Sequence, residues 1–326
     1  MKLTLLFLLF IQFPGVGLPV FRQTIPAEGD KNCKVLFWNL ENLFITSQYF
    51  YKKINSIAKH IYISSEGNLP VLIGVSEIEN FQVVWRLTNL TSLAQGGYGI
   101  VHRDSPDHRG IDVALLYRKD RFKLLNIKYF AIKNEIGDTM RTRYTLYAKG
   151  VLDHLDTLHI VVLHWPSKWG GERASAPGRV ASAKVLNSIT DSVLVLNRKS
   201  NIVAMGDFNE QSGGSTGVAS MVNSLNLIYP IIRRGGRDLK GRVKGTIKYN
   251  GRWEIIDHFL VSSNLLNKKE PVFCTDTSVQ IYTHPLLIES DRTYLGIKPK
   301  RSFLGPRYNG GISDHLPIIL TIKRSW

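Results

Sequence analysis

Asn39, Glu77, His164 and Asp207 each stand where a short apolar run stops, after residues 35–38, 71–76, 160–163 and 202–206, and Asn209 follows two places behind Asp207. Asp314 and His315 reverse the pattern and precede the run 316–322, while Asp257 sits inside 255–261. Carboxylates and amides supply hard oxygens for a divalent cation, and a carboxylate or imidazole can exchange a proton with water or a leaving oxygen. Each residue alone has a plainer use: Asn39 and Glu77 as turn or cap, Asp207 with Asn209 as an Asx-turn, Asp314 with His315 as a self-satisfied loop, Asp257 as a buried structural carboxylate. Their common placement at the ends of apolar runs is what points to a site, because strand ends sharing one sheet edge converge on a cleft.

The elements that must position these groups are legible as periodicity. Runs rich in Val, Ile and Leu at 35–38, 71–75, 113–117, 158–163, 202–205, 255–261 and 316–322 read as buried strands of an α/β protein. Residues 48–63, 81–93 and 179–196 carry apolar side chains three and four apart, as in Ala183, Leu186, Ile189, Val193 and Leu196, and are predicted helices covering a sheet. If one sheet holds the strands and the last runs antiparallel, every polar end emerges at the same edge. No fixed repeat or mid-chain linker divides the sequence, so one domain over 32–324 is expected, with long surface loops over 264–311.

The chain has 326 residues, 42 Lys and Arg against 26 Asp and Glu, and a net charge of +16. A basic surface attracts polyanions, although it also serves solubility. Met1-Lys2, an apolar run over 3–13 and Pro14-Gly15 have the pattern of a signal peptide over 1–17, followed by a lead-in over 18–31. The expectation is therefore a secreted or periplasmic monomer without stable membrane insertion. Cys33 and Cys274 are expected to be buried thiols rather than a pair.

WNLEN at 38–42, SEIEN at 76–80, LHWPS at 163–167, GDFN at 206–209, IDHFLVS at 256–262 and SDHLP at 313–317 stand in order along the chain. Together they resemble the endonuclease/exonuclease/phosphatase superfamily of metal-dependent, deoxyribonuclease-like phosphodiesterases. The resemblance implies a four-layered α/β/β/α sandwich and a magnesium cofactor, for which manganese or calcium could substitute. It implies metal ligation by Asn39, Glu77 and Asp314, a water-orienting pair in Asp207 and Asn209, and phosphate contact by His315 with Asp257 fixing its tautomer. His164 resembles the group that assists the leaving oxygen, Arg143 resembles a phosphate-directed arginine, and Ser167 and Lys168 are further substrate-contact candidates. Asp112 is a candidate partner for His164. Trp165 and Trp169 could cover the core or stack on bases, and core cover is the commoner use. Arg173 and Arg179 fit either substrate contact or ion pairs. A nuclease acting on DNA or RNA is the leading expectation. A lipid or inositol phosphoesterase, which would need apolar loops for membrane approach, and a non-catalytic polyanion-binding scaffold are the alternatives.

Overall fold

The computed structural model describes residues 32–168, 171–213, 217–232 and 242–325. The expected signal peptide and lead-in over 1–31, Trp169 and residues 233–241 lie outside the described residues. Two mixed sheets pack face to face. The first contains β1 (Asn32–Leu43), β2 (Leu72–Ile78), β3 (Tyr98–His102) and β4 (Asp112–Arg118), with Ile318–Arg324, Val279–Ile281 and Ile231–Ile232 continuing beyond β1. The second runs in the order β5 (Phe122–Phe130), β6 (Thr145–Leu152), β7 (Asp156–His164), β8 (Asn201–Asp207), Asp257–Val261 and Asn226–Ile228.

Every side chain of β2 and β8 is buried, which is why both read as unbroken apolar runs rather than alternations. The sheets meet closely where Gly74 of β2 faces β8. A Cβ there would lie 3.0 Å from the Met205 thioether and 3.2 Å from the Phe37 ring, so only hydrogen fits without the neighbours yielding. Helices α1 (Phe50–Ser64) and α2 (Phe81–Asn89) bury Ile54, Ile57, Ile61, Val83 and Leu87 in the core shared with the first sheet. Helix α3 (Glu172–Leu196) packs Ala183, Leu186, Ile189 and Val193 with Val161, Leu163 and Phe208 in a separate layer on the second sheet. Burying each large side chain contributes about 1.5 to 3 kcal/mol.

The structure departs from the sequence expectations in particular places. The site-bearing strands divide between two sheets, as the four-layered sandwich implied, and the last strand is antiparallel to β1 as expected. Helix α3 begins at Glu172 rather than at Arg179 and carries Pro177 inside it, at the loss of one intrahelical hydrogen bond. Strand β5 gave no apolar run because most of it is exposed. The stretch 264–311 holds short ladders, Ile288–Ser290 with Ile297–Pro299 and Phe303–Leu304 with Arg307–Tyr308, too brief to show a period. Cys33 and Cys274 are both buried thiols. Among the described residues no helix is long and apolar enough to cross a membrane.

Candidate active site

The second sheet sets three ionisable side chains abreast. Parallel pairing of β7 with β8 puts His164 opposite Asp207, and antiparallel pairing of β8 with Asp257–Val261 puts Asp257 opposite Asp207 on the other flank. Such close strand approach needs Gly206, where a Cβ would stand 2.2 Å from the Leu163 carbonyl oxygen. The chain then turns: Asn209 adopts φ 50°, a left-handed conformation that asparagine tolerates better than most residues. Its backbone N–H donates to Asp207 Oδ1 at 2.9 Å, and its side-chain amide donates to the Trp165 carbonyl at 3.0 Å.

The first sheet brings the remaining groups to the same rim. The Asn39 amide donates to Asp207 Oδ2 at 3.0 Å, joining the sheets directly. Ser313 donates to the Asn39 carbonyl at 2.7 Å, the His315 N–H donates to Ser313 Oγ at 3.0 Å, and the Trp38 indole donates to the His315 carbonyl at 2.9 Å. These bonds pin the segment 313–315 to the end of β1. His315 is thereby placed with Nδ1 2.8 Å from Asp257 Oδ2 and Nε2 3.8 Å from Asp207 Oδ2. His164 Nε2 approaches the same Asp207 oxygen at 3.4 Å.

Burial and charge divide the imidazoles. Burial, reinforced by Arg143, Arg109 and His315, holds His164 well below its ordinary value, so it is neutral. Burial acts against the His315 imidazolium too, but Asp257, Asp207 and Asp314 outweigh it and hold His315 well above its ordinary value. Burial raises the Asp207 carboxyl; His315 pulls it down and Asp257 pushes it up. A carboxyl raised toward neutrality is a better proton acceptor than an exposed one.

Beside these groups lies a carboxylate patch. Glu77, at φ 58°, accepts the Asn42 N–H and an Arg109 guanidinium N–H, each at 3.0 Å. Arg301 joins Glu41 at 2.7 Å to Asp314 at 3.2 Å, and Lys53 donates to the Glu41 carbonyl at 2.6 Å. Burial lowers Lys53 to about 8 against the pull of Glu41, Asp314 and Glu77. Positive side chains thus already converge on these oxygens. Nearer the sheet-two rim, ligand atoms of Asp207, Asp257 and His315 lie within 4.8 Å of one another. Asp257 Oδ1 and His164 Nδ1 are buried without a hydrogen-bond partner, a condition proteins rarely leave uncompensated. The Glu77, Glu41 and Asp314 carboxylates, toward which Arg109, Arg301 and Lys53 are drawn, are hard oxygen donors that fit a divalent cation.

Other sequence candidates stand farther back. Arg143 is buried, with Nη1 on Asp107 at 2.8 Å and Nη2 on the Trp165 carbonyl at 2.6 Å, while its Nε has no hydrogen-bond partner among the described residues. It therefore supports the carbonyl that also receives Asn209, rather than reaching outward for phosphate. Ser167 is half-buried in the loop after β7. Lys168 pairs with Glu210 at 2.9 Å and Glu172 at 3.3 Å. Asp112 pairs with His102 at 3.1 Å, not with His164; strand β4 lies in the first sheet, whereas His164 ends a strand of the second. Trp165 is buried against Phe208 in the core. Arg179 forms a buried pair with Glu210 at 2.6 Å. Sequence reading passed over Glu41, Lys53, Arg109 and Arg301. Glu41 could have been found two residues after Asn39, but Lys53, Arg109 and Arg301 belong to distant elements with no local pattern to mark them.

The architecture has known counterparts. The structure superposes on humanized D. rerio TDP2 with a TM-score of 0.58 at 14% identity, covering 90% of this chain and 99% of that one. It matches D. rerio TDP2 complexed with single-strand DNA product equally well, with a TM-score of 0.58 at 15% identity, covering 90% and 100%. An endonuclease/exonuclease/phosphatase family protein from Bacteroides thetaiotaomicron gives a TM-score of 0.58 at 16% identity, covering 89% and 97%. At these identities the likeness establishes the fold, the deoxyribonuclease-like arrangement of two packed mixed sheets with flanking helices. Among curated proteins none matches this chain. The family model described as Endonuclease/Exonuclease/phosphatase family, whose members are metal-dependent hydrolases, matches residues 42–324. With the motifs at the rim and that match across nearly all of the described fold, this chain belongs to the endonuclease/exonuclease/phosphatase family.

Proposed function

We propose that the protein is an exported, divalent-metal-dependent nuclease that hydrolyses phosphodiester bonds of DNA or RNA by in-line attack of water. The observation that carries this reading is the meeting of Asn39, His164 and His315 around the single carboxylate of Asp207. Asn39, Glu77 and Asp314 would hold magnesium, which when bound would polarise phosphoryl oxygens and neutralise the leaving alkoxide. Asp207, oriented by the Asn209 N–H and the Asn39 amide, holds the attacking water and accepts its proton as the new P–O bond forms. Cationic His315, fixed by Asp257, faces the negative charge growing on the phosphate. Neutral His164 hydrogen-bonds the departing oxygen as its bond to phosphorus breaks. Arg143 keeps the Trp165 carbonyl, and through it Asn209, in position.

A nucleic-acid substrate is supported by the net charge of +16 and by the histidine at position 164. The DNA product held by the D. rerio relative agrees with it. Export is supported by the apolar run over 3–13. The test sets purified protein, with magnesium and then with chelator, against plasmid, RNA, sphingomyelin and a chromogenic phosphodiester. Magnesium-dependent cleavage of plasmid or RNA that disappears in Asp207→Ala is the expected result. Turnover of sphingomyelin alone would replace the nuclease by a lipid phosphoesterase, and inertness on all four would leave a polyanion-binding scaffold.

A further inference from the structure

Two hairpins rise beside His315 and are locked to one another. The first, Ile247–Tyr249 with Arg252–Glu254, springs from the site itself: Ile247 bridges to His315, and the Leu316 N–H donates to the Thr246 carbonyl. The second is Ile288–Ser290 with Ile297–Pro299, closed where the Asp291 N–H meets the Gly296 carbonyl. Lys248 of the first forms an ion pair with Asp291 of the second at 2.8 Å, with both side chains about as buried as core residues. The same ammonium donates to the Leu295 carbonyl at 2.7 Å, and the Tyr294 hydroxyl donates to Asn250 at 3.4 Å. Gly251 lies so close to Tyr294 that a Cβ would stand 3.0 Å from its Cβ.

This bracing presents apolar groups to solvent. Tyr249 is 65% exposed, Tyr294 52% and Leu295 78%. Leu295 also adopts φ 62°, a strained conformation for a bulky residue, so the turn accepts strain at the point where it exposes a side chain. Lys244, Arg252 and Arg292 are exposed on or beside the same hairpins. Burial of these exposed side chains is not what holds the hairpins in place; the pair between Lys248 and Asp291 and the packing of Trp253, Ile288 and Ile297 on the core do that.

We infer that Tyr249 and Tyr294 form a stacking platform for unpaired bases of a single-stranded nucleic acid approaching from the His315 side, with Lys244, Arg252 and Arg292 contacting its phosphates. The inference rests on the nuclease reading above and names its substrate form. Aromatic faces interleaved with cations bind single strands because every base has a π-face and every linkage a negative charge. A paired base presents only its edges to a side chain outside the helix, so the platform favours single strands over duplex. A lipid surface is the weaker match: among the described residues Leu295 is the one aliphatic side chain exposed at these tips, and anchoring to a bilayer takes more buried apolar surface than that.

The test uses the full chain in chelator, with fluorescence anisotropy of a labelled 20-mer of deoxythymidine and of a 20-base-pair duplex, and flotation with phosphatidylserine vesicles. Wild type is expected to bind the single strand more tightly than the duplex. The double variant Tyr249→Ala/Tyr294→Ala should lose about tenfold or more in single-strand affinity, while the duplex changes little. Tyr249→Phe/Tyr294→Phe should retain it, and Tyr62→Ala, an exposed tyrosine on α1, should bind as wild type. Thermal melts comparable to wild type establish that the variants are folded. Unchanged single-strand affinity in the alanine variant, equal losses on both nucleic acids, or loss confined to vesicles would each overturn the platform. Magnesium-dependent cleavage of the 20-mer by wild type is read separately. Cleavage with unchanged affinity in the alanine variant sinks only the platform, whereas the expected affinity losses without cleavage keep the platform and sink the nuclease reading.

Discussion

Asp257 and His315 lie 58 positions apart in the sequence and meet at 2.8 Å, carboxylate oxygen to imidazole Nδ1. Because Asp257 is the strongest single influence keeping His315 charged, after the opposing effect of burial, its removal should lower the imidazole's pKa. Asp257→Asn is therefore expected to cost about 10- to 100-fold in kcat/KM and to move the alkaline limb of the pH profile to lower pH. A profile of unchanged shape, merely scaled down, would remove His315 charge from the mechanism.

Metal affinity can be read without activity. Titrating magnesium into wild type should raise its melting temperature by mass action. Glu77→Gln should weaken the apparent affinity by at least about tenfold while preserving the fold without metal. An identical magnesium response in both proteins would place the cation elsewhere.

Gly206 has a structural role that can be measured apart from chemistry. Gly206→Ala puts a methyl where the Leu163 carbonyl oxygen stands 2.2 Å away, so β7 and β8 must separate. The expected cost is about 1 to 3 kcal/mol in denaturant unfolding. Stability equal to wild type would mean that the strands shift freely, and His164 with them.

Asp153 supplies a pH dependence far from the site. Burial raises its carboxyl, but Arg121, paired at 2.7 Å, and Arg324 outweigh this and hold it below the ordinary carboxylate range. A depressed folded pKa stabilises the protein fully above the unfolded value of about 4, and that stabilisation fades as pH falls through the folded value. Asp153→Asn should therefore lose about 3 kcal/mol at neutral pH, and the gap from wild type should narrow in acid. A gap independent of pH would assign the loss to packing.

Much of the fold was legible because buried strands must be apolar along their length. Strands β2 and β8 are buried at every position and stand out, whereas β5, mostly exposed, has no such signature. The polar residues ending those runs were equally visible, since a carboxylate or imidazole interrupts an apolar pattern sharply. Arg109 and Arg301, which hold Glu77, Glu41 and Asp314, left no trace: they sit in irregular or short segments where neighbouring residues say nothing about distant partners. The misreading of Asp112 has the same origin, because the partner of a side chain depends on which sheet its strand joins.

Sequence alone determined which polar side chains stand at the ends of apolar segments, because residue type and burial period are local properties, and the resemblance of its motifs supplied the chemistry expected of them. Only the tertiary structure decided that Asn39 reaches across the two sheets to Asp207, and that Arg143 turns inward to the Trp165 carbonyl. Those outcomes depend on strand order and sheet packing, and a contact such as Asn39 with Asp207, 168 positions apart, is set by how the whole core closes.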